Sequence, residues 1–457
     1  MPGRVGARGR SARASSVSGR RRPAQPGEVR PPRAAAQLHR GVLNPTPPNA
    51  VTHSDGTATF CAIKRGKGTI VRTRHKLAAA VAALCLGSIL AACVPPPPPP
   101  GGELHPPPPD QGPPANSPTL ATANFVTGLN NPWDMSFLSD GTMFFTERPG
   151  PVKVRLTNGT INTIVTPADV VASGESGMMG LAVDPNFAAN HFVYTCYTTA
   201  RDNRVVRFRV NAALNGQDGA TVLASGWAQA NFHDGCRVRF GADGKLWVTT
   251  GDGGVGPAPQ DINGLNGKVL RLNPDGSAPA DNPFVNQPGD DRIYTFGHRN
   301  PQGIAFRPGT GQPYSIEHGP DKNDEVNRLV AGGNGGWDPN TGGNYDQSHP
   351  MTDLQKFPDA MIPAWRSGDS GTVAPSGGTF LTGSQWKSWD GALAVAFLKD
   401  SKARVMFLDG NGDVSFATPI LANGVRLRSA VQGPDGNLYI STDVGGGSGA
   451  IWKVTPS

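Results

Sequence analysis

Residues Asp243–Asp252 read "DGKLWVTTGD": a turn dipeptide, a short run rich in apolar and β-branched residues, and a closing acid. Asp-Gly suits a tight hairpin turn, and the alternation that follows suits a strand with two different faces. The same pattern appears as "DGTMFFTER" from Asp140, "NHFVYTCYT" from Asn190, "TGQPYSIEHG" from Thr310, "DGALAVAFL" from Asp390 and "DGNLYISTD" from Asp435. The starts are 50, 53, 67, 80 and 45 residues apart. A repeat of this length, with four short strands to each unit, predicts an all-β chain folded as a β-propeller, and six starts predict six blades. The two long spacings leave room for insertions around 255–295 and 335–375. Innermost strands of a propeller converge on one axis, so polar residues at their ends meet in one cleft.

The ends of the chain follow other rules. The whole carries 42 Lys/Arg against 35 Asp/Glu, a net +7. Residues 1–92 hold 16 of those bases and two acids, Glu28 and Asp55, which leaves 26 bases and 33 acids beyond them. The basic character therefore belongs to the front of the chain. The mildly acidic remainder excludes a nucleic-acid partner on charge grounds. Arg72–Cys93, "RTRHKLAAAVAALCLGSILAAC", has a basic start, a short apolar run and a small-residue exit, the layout of a signal peptide. "LAAC" resembles a bacterial lipobox, in which Cys93 is lipidated and becomes the new N-terminus. Residues 1–70 are a basic, low-complexity leader; translation from Val71 would put the basic stretch where a signal peptide needs it. After Cys93, "VPPPPPPGGELHPPPPDQGPPANSP" reads as an extended polyproline stalk. The expected division is leader 1–70, signal 71–92, lipidated cysteine and stalk 93–118, and propeller 119–457. The expected location is the periplasmic or cell-surface side of a bacterial membrane, held through lipid alone. Cys196 and Cys236 remain in the globular part, as one disulfide or as two buried thiols.

Four stretches carry the polar chemistry. "FHDGCRVRFGADGKLWVTTGD" places His233 before one strand and Asp252 at the end of the next, so a hairpin brings the two together. A histidine at a propeller mouth is a general-base candidate. "FGHRNPQG" holds Arg299 and Asn300 between glycines and Pro301. "EHGPDKNDEVN" sets Gly319 and Pro320 before Asp324 and Glu325, a loop suited to offering carbonyl oxygens to a hard cation such as Ca²⁺. "NGVRLRS" puts Arg426 and Arg428 two apart, on one face of a strand, where a shared anion is expected.

Together with "GKVLRLNPDGSAPADNPF" from Gly267 and "APSGGTF" from Ala374, these motifs resemble the soluble quinoprotein glucose/sorbosone dehydrogenases, in particular their aldose sugar dehydrogenase branch. The resemblance runs from about Phe125 to Val454. It implies a six-bladed propeller that uses pyrroloquinoline quinone (PQQ) and Ca²⁺ to oxidise a sugar at C1, with an external electron acceptor. It implies His233 as the base, Asp252 as the group orienting it, and Arg299 over the quinone carbonyl. Asn300 and Lys399, in "AFLKDS", would contact the cofactor, and Arg426 and Arg428 would grip its carboxylates. Gly319 and Pro320 would offer carbonyls to a cofactor-bound Ca²⁺. Glu325 and the backbone of Gly335 would hold a second, structural Ca²⁺. Three positions depart from the pattern. Glu175, in "SGESGMMG", stands beside the cofactor where glutamine is common, and is awkward unless paired. Gly335 stands where tyrosine is common, and Cys236 where a small residue or glycine is usual. Two other readings compete: a non-catalytic exported propeller that binds carbohydrate or protein, and a calcium-dependent lactonase-type hydrolase.

Cys93→Ser should release the protein from membranes without harming its activity, because the two or three acyl chains expected on the lipidated Cys93 are the only anchor, and at least two are needed for stable attachment. Fractionation of cells expressing each form checks this; a wild-type protein that is already soluble would contradict it.

Overall fold

The structure is a computed structural model and describes residues 103–457. The leader, the signal sequence and Cys93 lie outside the described residues. Six four-stranded antiparallel sheets are arranged as the blades of a propeller. Their innermost strands are Pro132–Phe137, Met178–Val183, Gly235–Phe240, Pro301–Phe306, Pro375–Phe380 and Leu427–Gln432, and these pack on one another around the axis. Four of the first five blades use consecutive strands, and the fourth reaches its outermost strand, Trp365–Arg366, only after a long insertion. The sixth takes its outermost strand from the start of the domain: Leu120–Leu129 pairs antiparallel with Gly449–Pro456, Leu120 opposite Pro456. The long spacings of the repeat are connections within the third blade, between Thr250 and Lys268 and between Leu272 and Ile293, and within the fourth, between Arg328 and Trp365. The latter carries a small hairpin of its own, Asn340–Thr341 with Asn344–Tyr345.

The turn chemistry is as the sequence implies. Gly244 adopts φ +70, and the Asp243 carboxylate accepts the Lys245 N–H at 3.0 Å. The following strand, Leu246–Thr250, is buried along its whole length. Blades stack face to face, so a middle strand has protein on both sides. The described residues form one apolar cluster for each of the six blade-to-blade interfaces, among them Phe144 with Val206 and Phe208, and Trp247 with Ile304 and Met361. Each large apolar side chain so buried contributes about 1.5–3 kcal/mol.

Polar groups fill the axis. Asp134 of the first blade is fully buried. It meets Arg237 at 2.7 Å and Arg239 at 2.6 Å from the third blade, Ser429 Oγ at 3.1 Å from the sixth, and the Leu181 N–H at 3.0 Å from the second. Burial alone would raise the Asp134 pKa; the two guanidinium groups outweigh it and hold it below the usual carboxylate value.

Two expectations meet the structure here. Cys196 and Cys236 form a disulfide joining the second blade to the third, with Cα atoms 5.4 Å apart. The proline-rich stretch read as a free stalk up to residue 118 instead lies along the domain over its described part. Gln111 N–H donates to Ala417 O at 2.7 Å, and Ala417 N–H to Pro109 O at 3.1 Å. Arg404 grips Asp110 through two bonds of 2.8 and 2.9 Å, and Trp389 Nε1 donates to Ser117 at 2.9 Å. An outer strand, Val414–Ile420, has unpaired backbone groups, and an extended proline-rich segment has free carbonyls to meet them. No helix among the described residues is long and apolar enough to cross a membrane.

Candidate active site

One end of the propeller gathers the polar residues. There the innermost strands begin and the second strands end. Each of the six innermost strands also carries a register shift against its neighbour within its first few residues. Such bulges re-aim side chains at a rim. His233 precedes the third innermost strand, Arg299 and Asn300 precede the fourth, and Arg426 precedes the sixth. Glu147, Asp252, Glu317, Lys399 and Asp443 end or follow the second strands of blades one, three, four, five and six.

His233 and Asp252 meet as the hairpin predicts: His233 Nδ1 lies 2.9 Å from Asp252 Oδ1, and both residues are buried. His233 has φ +59, and a Cβ on Gly251 would fall 1.7 Å from the His233 carbonyl oxygen. Only glycine lets the two arms of the hairpin approach so closely. Asp252 also accepts the Gly254 N–H on Oδ1 at 2.9 Å, and Trp337 Nε1 and the Tyr345 hydroxyl on Oδ2, each at 2.8 Å. The Tyr345 oxygen lies 3.1 Å from His233 Nδ1. Nδ1 faces these groups, so the other ring nitrogen is the one left for a substrate.

Arg299 is buried. Its guanidinium donates to His318 O at 3.0 Å and to the Gln347 side-chain carbonyl, while its Nε has no partner. Asn300 is a clamp: its Oδ1 accepts the Gly235 N–H at 3.1 Å and its Nδ2 donates to Glu175 at 3.0 Å. Glu175 is thus paired, as its position demands. Its Oε2 also accepts the His233 N–H at 2.9 Å and Gln302 Nε2 at 3.2 Å. Burial would raise its pKa, but the charges of His318 and His233 and the His233 N–H together bring it below the usual value. Asp234, behind His233, is pushed up to about 7 by burial.

The arginine pair differs from its expected form. The register shift between Leu427 and Ser429 breaks the simple alternation. Arg428 is wholly buried, whereas Arg426 precedes the strand and is half exposed. They do share an anion, and it is the protein's own: both lie 3.1 Å from Asp443 Oδ2. Lys399 is exposed at the rim, and its ammonium makes no ion pair with the described residues.

No cluster of three or more His, Cys, Asp or Glu side chains that could hold a metal occurs among the described residues. A cation at Gly319–Pro320 would therefore depend on backbone oxygens and on a ligand's own carboxylates. Gly319 sits in a tight loop: its N–H donates to Asp324 at 2.9 Å, and a Cβ there would lie 2.0 Å from Lys322 O. Glu325 is buried and lies across the strands from Glu317; burial and that second acid push it up to about 8. Gly335 is close by. A Cβ there would sit 3.2 Å from His298 Nδ1, which bonds Glu317 at 2.9 Å. Two adjacent buried acids, and an Asn327 Oδ1 with no partner, fit a hard cation.

Several residues here were not picked out from the sequence. Trp337, Tyr345 and Gln347 arrive on the fourth-blade insertion, which has no repeat register to follow. His318 was read only as part of a loop, yet it is buried with an unpartnered Nε2. Asp443 and Arg148 do have a signal: each directly follows the second strand of its blade, one position before the place Asp252 takes in the third. Arg148 lies within electrostatic reach of Asp443, Arg428 and Glu175.

The family model for glucose/sorbosone dehydrogenase matches residues 129–453. The chain belongs to the glucose/sorbosone dehydrogenase family. It is 30% identical to the aldose sugar dehydrogenase YliI of Escherichia coli, over 72% of this chain and 91% of that protein. It is 28% identical to quinoprotein glucose dehydrogenase B of Acinetobacter calcoaceticus, over 70% of this chain and 85% of that protein. The PQQ-bound aldose sugar dehydrogenase of Streptomyces coelicolor superposes with a TM-score of 0.61 at 26% identity, covering 75% of this chain and the whole of that one. Family members are oxidoreductases, and the architecture they share is the six-bladed propeller described above.

Proposed function

We propose that the protein oxidises an aldose at C1 to the lactone, using PQQ held at the propeller mouth. The carrying observation is the buried His233–Asp252 pair set beside Arg299 and Arg428. When bound, the quinone supplies a two-electron acceptor for the hydride from C1, and an external acceptor must later remove those electrons. His233 takes the proton of the anomeric hydroxyl through Nε2, while Asp252 holds Nδ1 and fixes the ring. Arg299 places a fixed positive charge where negative charge develops. Arg428, Arg426 and Lys399 would hold the cofactor's carboxylates. Buried Nε atoms of Arg299 and Arg428 and Nε2 of His318 have no partner, which fits an anionic ligand with several acceptors. Asn300 supports the site by tying the His233 loop to Glu175.

Calcium belongs to the same proposal, at Gly319–Pro320 with the cofactor and at Glu325–Gly335 as a structural ion. A lactonase-type hydrolase is disfavoured, since it would need side-chain metal ligands converging on the axis. A purely binding propeller has no use for a general base whose carboxylate partner is fixed by three further donors. Attachment to a membrane through Cys93 is proposed on the lipobox alone.

Protein mixed with PQQ and Ca²⁺ should reduce a dye when an aldose is added. His233→Ala should lower that turnover by about 10²–10⁴-fold and keep cofactor binding; near wild-type turnover in the variant would contradict the assignment.

Glu175→Gln preserves an acceptor for His233 N–H, Asn300 and Gln302 and removes a negative charge from the mouth. Affinity for the triply carboxylated cofactor should rise on the order of tenfold, the effect of one unit charge over about 10 Å at an effective dielectric near 20. Calorimetric titration measures it, and equal or weaker binding would refute the charge argument.

A further inference from the structure

The small hairpin Asn340–Tyr345 lies outside the six blades, yet it delivers a hydroxyl to the centre of the candidate site. Tyr345 Oη is 2.8 Å from Asp252 Oδ2 and 3.1 Å from His233 Nδ1. The protons around Asp252 can be assigned. Trp337 Nε1 and backbone Gly254 N–H are donors only. His233 Nδ1, 2.9 Å from Oδ1, must carry a proton, since two lone pairs would otherwise face each other. The Tyr345 proton then goes to Oδ2, and a lone pair of its oxygen is left facing the proton on His233 Nδ1. Burial and the Asp252 charge both raise the Tyr345 pKa, so the phenol remains a donor through any working pH.

We propose that Tyr345 is a positioning residue of the His233–Asp252 pair. Its hydroxyl locks the Asp252 carboxylate by the oxygen that His233 does not use, flanks the Nδ1 proton, and so fixes the imidazole plane with Nε2 turned to the substrate. The inference rests on the sugar dehydrogenase reading for its kinetic consequence, but not for its geometry. Tyr345 acts through the pair. The insertion in the fourth blade thereby becomes part of the catalytic apparatus, not a surface ornament of the repeat. A hydroxyl that fixes the pair should affect the step in which His233 takes a proton, and should not affect how tightly the sugar binds.

Tyr345→Phe keeps the ring and removes only the oxygen. Two readouts follow. In cofactor-free protein labelled with ¹⁵N-histidine, the His233 Nδ1 proton should exchange with water slowly in the wild type and about tenfold faster, or too fast to observe, in Tyr345→Phe. In protein reconstituted with PQQ and Ca²⁺, kcat should fall about tenfold with the KM for sugar unchanged. Thr341→Val serves as the companion variant. It removes the hydroxyl that bonds His349 at 2.9 Å, loosening the hairpin at a contact that involves neither His233 nor Asp252, and it should leave both readouts at wild-type values. Unchanged exchange and unchanged kcat in Tyr345→Phe would overturn the proposal. A raised KM with unchanged kcat would overturn it too, since the hydroxyl would then be a substrate contact. So would Thr341→Val reproducing the Tyr345→Phe changes, since hairpin mobility and not the hydroxyl would be responsible. If the wild type oxidises no sugar, the dehydrogenase reading fails, and the proton-exchange arm still decides the role of Tyr345.

Discussion

Asp134 is the constraint on which the arrangement depends. One fully buried carboxylate at the axis receives two arginines from the third blade, a serine from the sixth and a backbone amide from the second. Removing one partner of a buried pair costs about 3–5 kcal/mol, because the other charge is left unanswered. The apolar clusters between blades are individually local, and none of them fixes the ring as a whole. The axial network does, together with the strand Leu120–Leu129 that closes the sixth blade. The mouth inherits that rigidity. Arg237, which meets Asp134, lies four residues beyond His233, on the strand that His233 leads into, and Ser429 directly follows Arg428.

Charge at the mouth is balanced in advance. Arg428 and Arg426 are held by Asp443, whose pKa is brought below the usual carboxylate value: burial opposes this, and Arg428, Arg148 and Arg426 outweigh it. Glu175 is held by Asn300, Gln302 and the His233 N–H. The cations are therefore kept in place without a ligand, and an incoming anion competes with carboxylates already there. Preorganisation of this kind lets a small number of fixed groups act on charge that develops only during reaction.

The repeat made the fold legible, because Asp-Gly turns and alternating strands are local signals repeated six times. The same periodicity made half of the site legible. His233 and Asp252 are nineteen residues apart but joined by a hairpin, so their meeting follows from the strand pattern. Asp443 was equally readable, since "LYISTD" closes its strand with an acid one position before the acid of "LWVTTGD", yet it was not singled out. Arg426 and Arg428 were read as sharing one face, and the bulge after Leu427 is what separates them; bulges leave no mark in a two-residue period. Tyr345, Trp337 and Gln347 lie in an insertion whose path over the mouth is set by tertiary packing alone. The proline-rich segment showed why it forms no core of its own, but not that the edge strand Val414–Ile420 offers it a partner.

The account stands on hydride leaving C1 of the sugar while His233 takes the hydroxyl proton. Its most direct test is a single-turnover measurement with protein reconstituted with PQQ and Ca²⁺, following cofactor reduction by an aldose carrying deuterium at C1. The account predicts that reduction slows several-fold with the deuterated sugar and that sugar deuterated elsewhere on carbon reacts at the normal rate. Reduction that is indifferent to deuterium at C1 under conditions where chemistry limits the rate, or no reduction by any aldose, would contradict it.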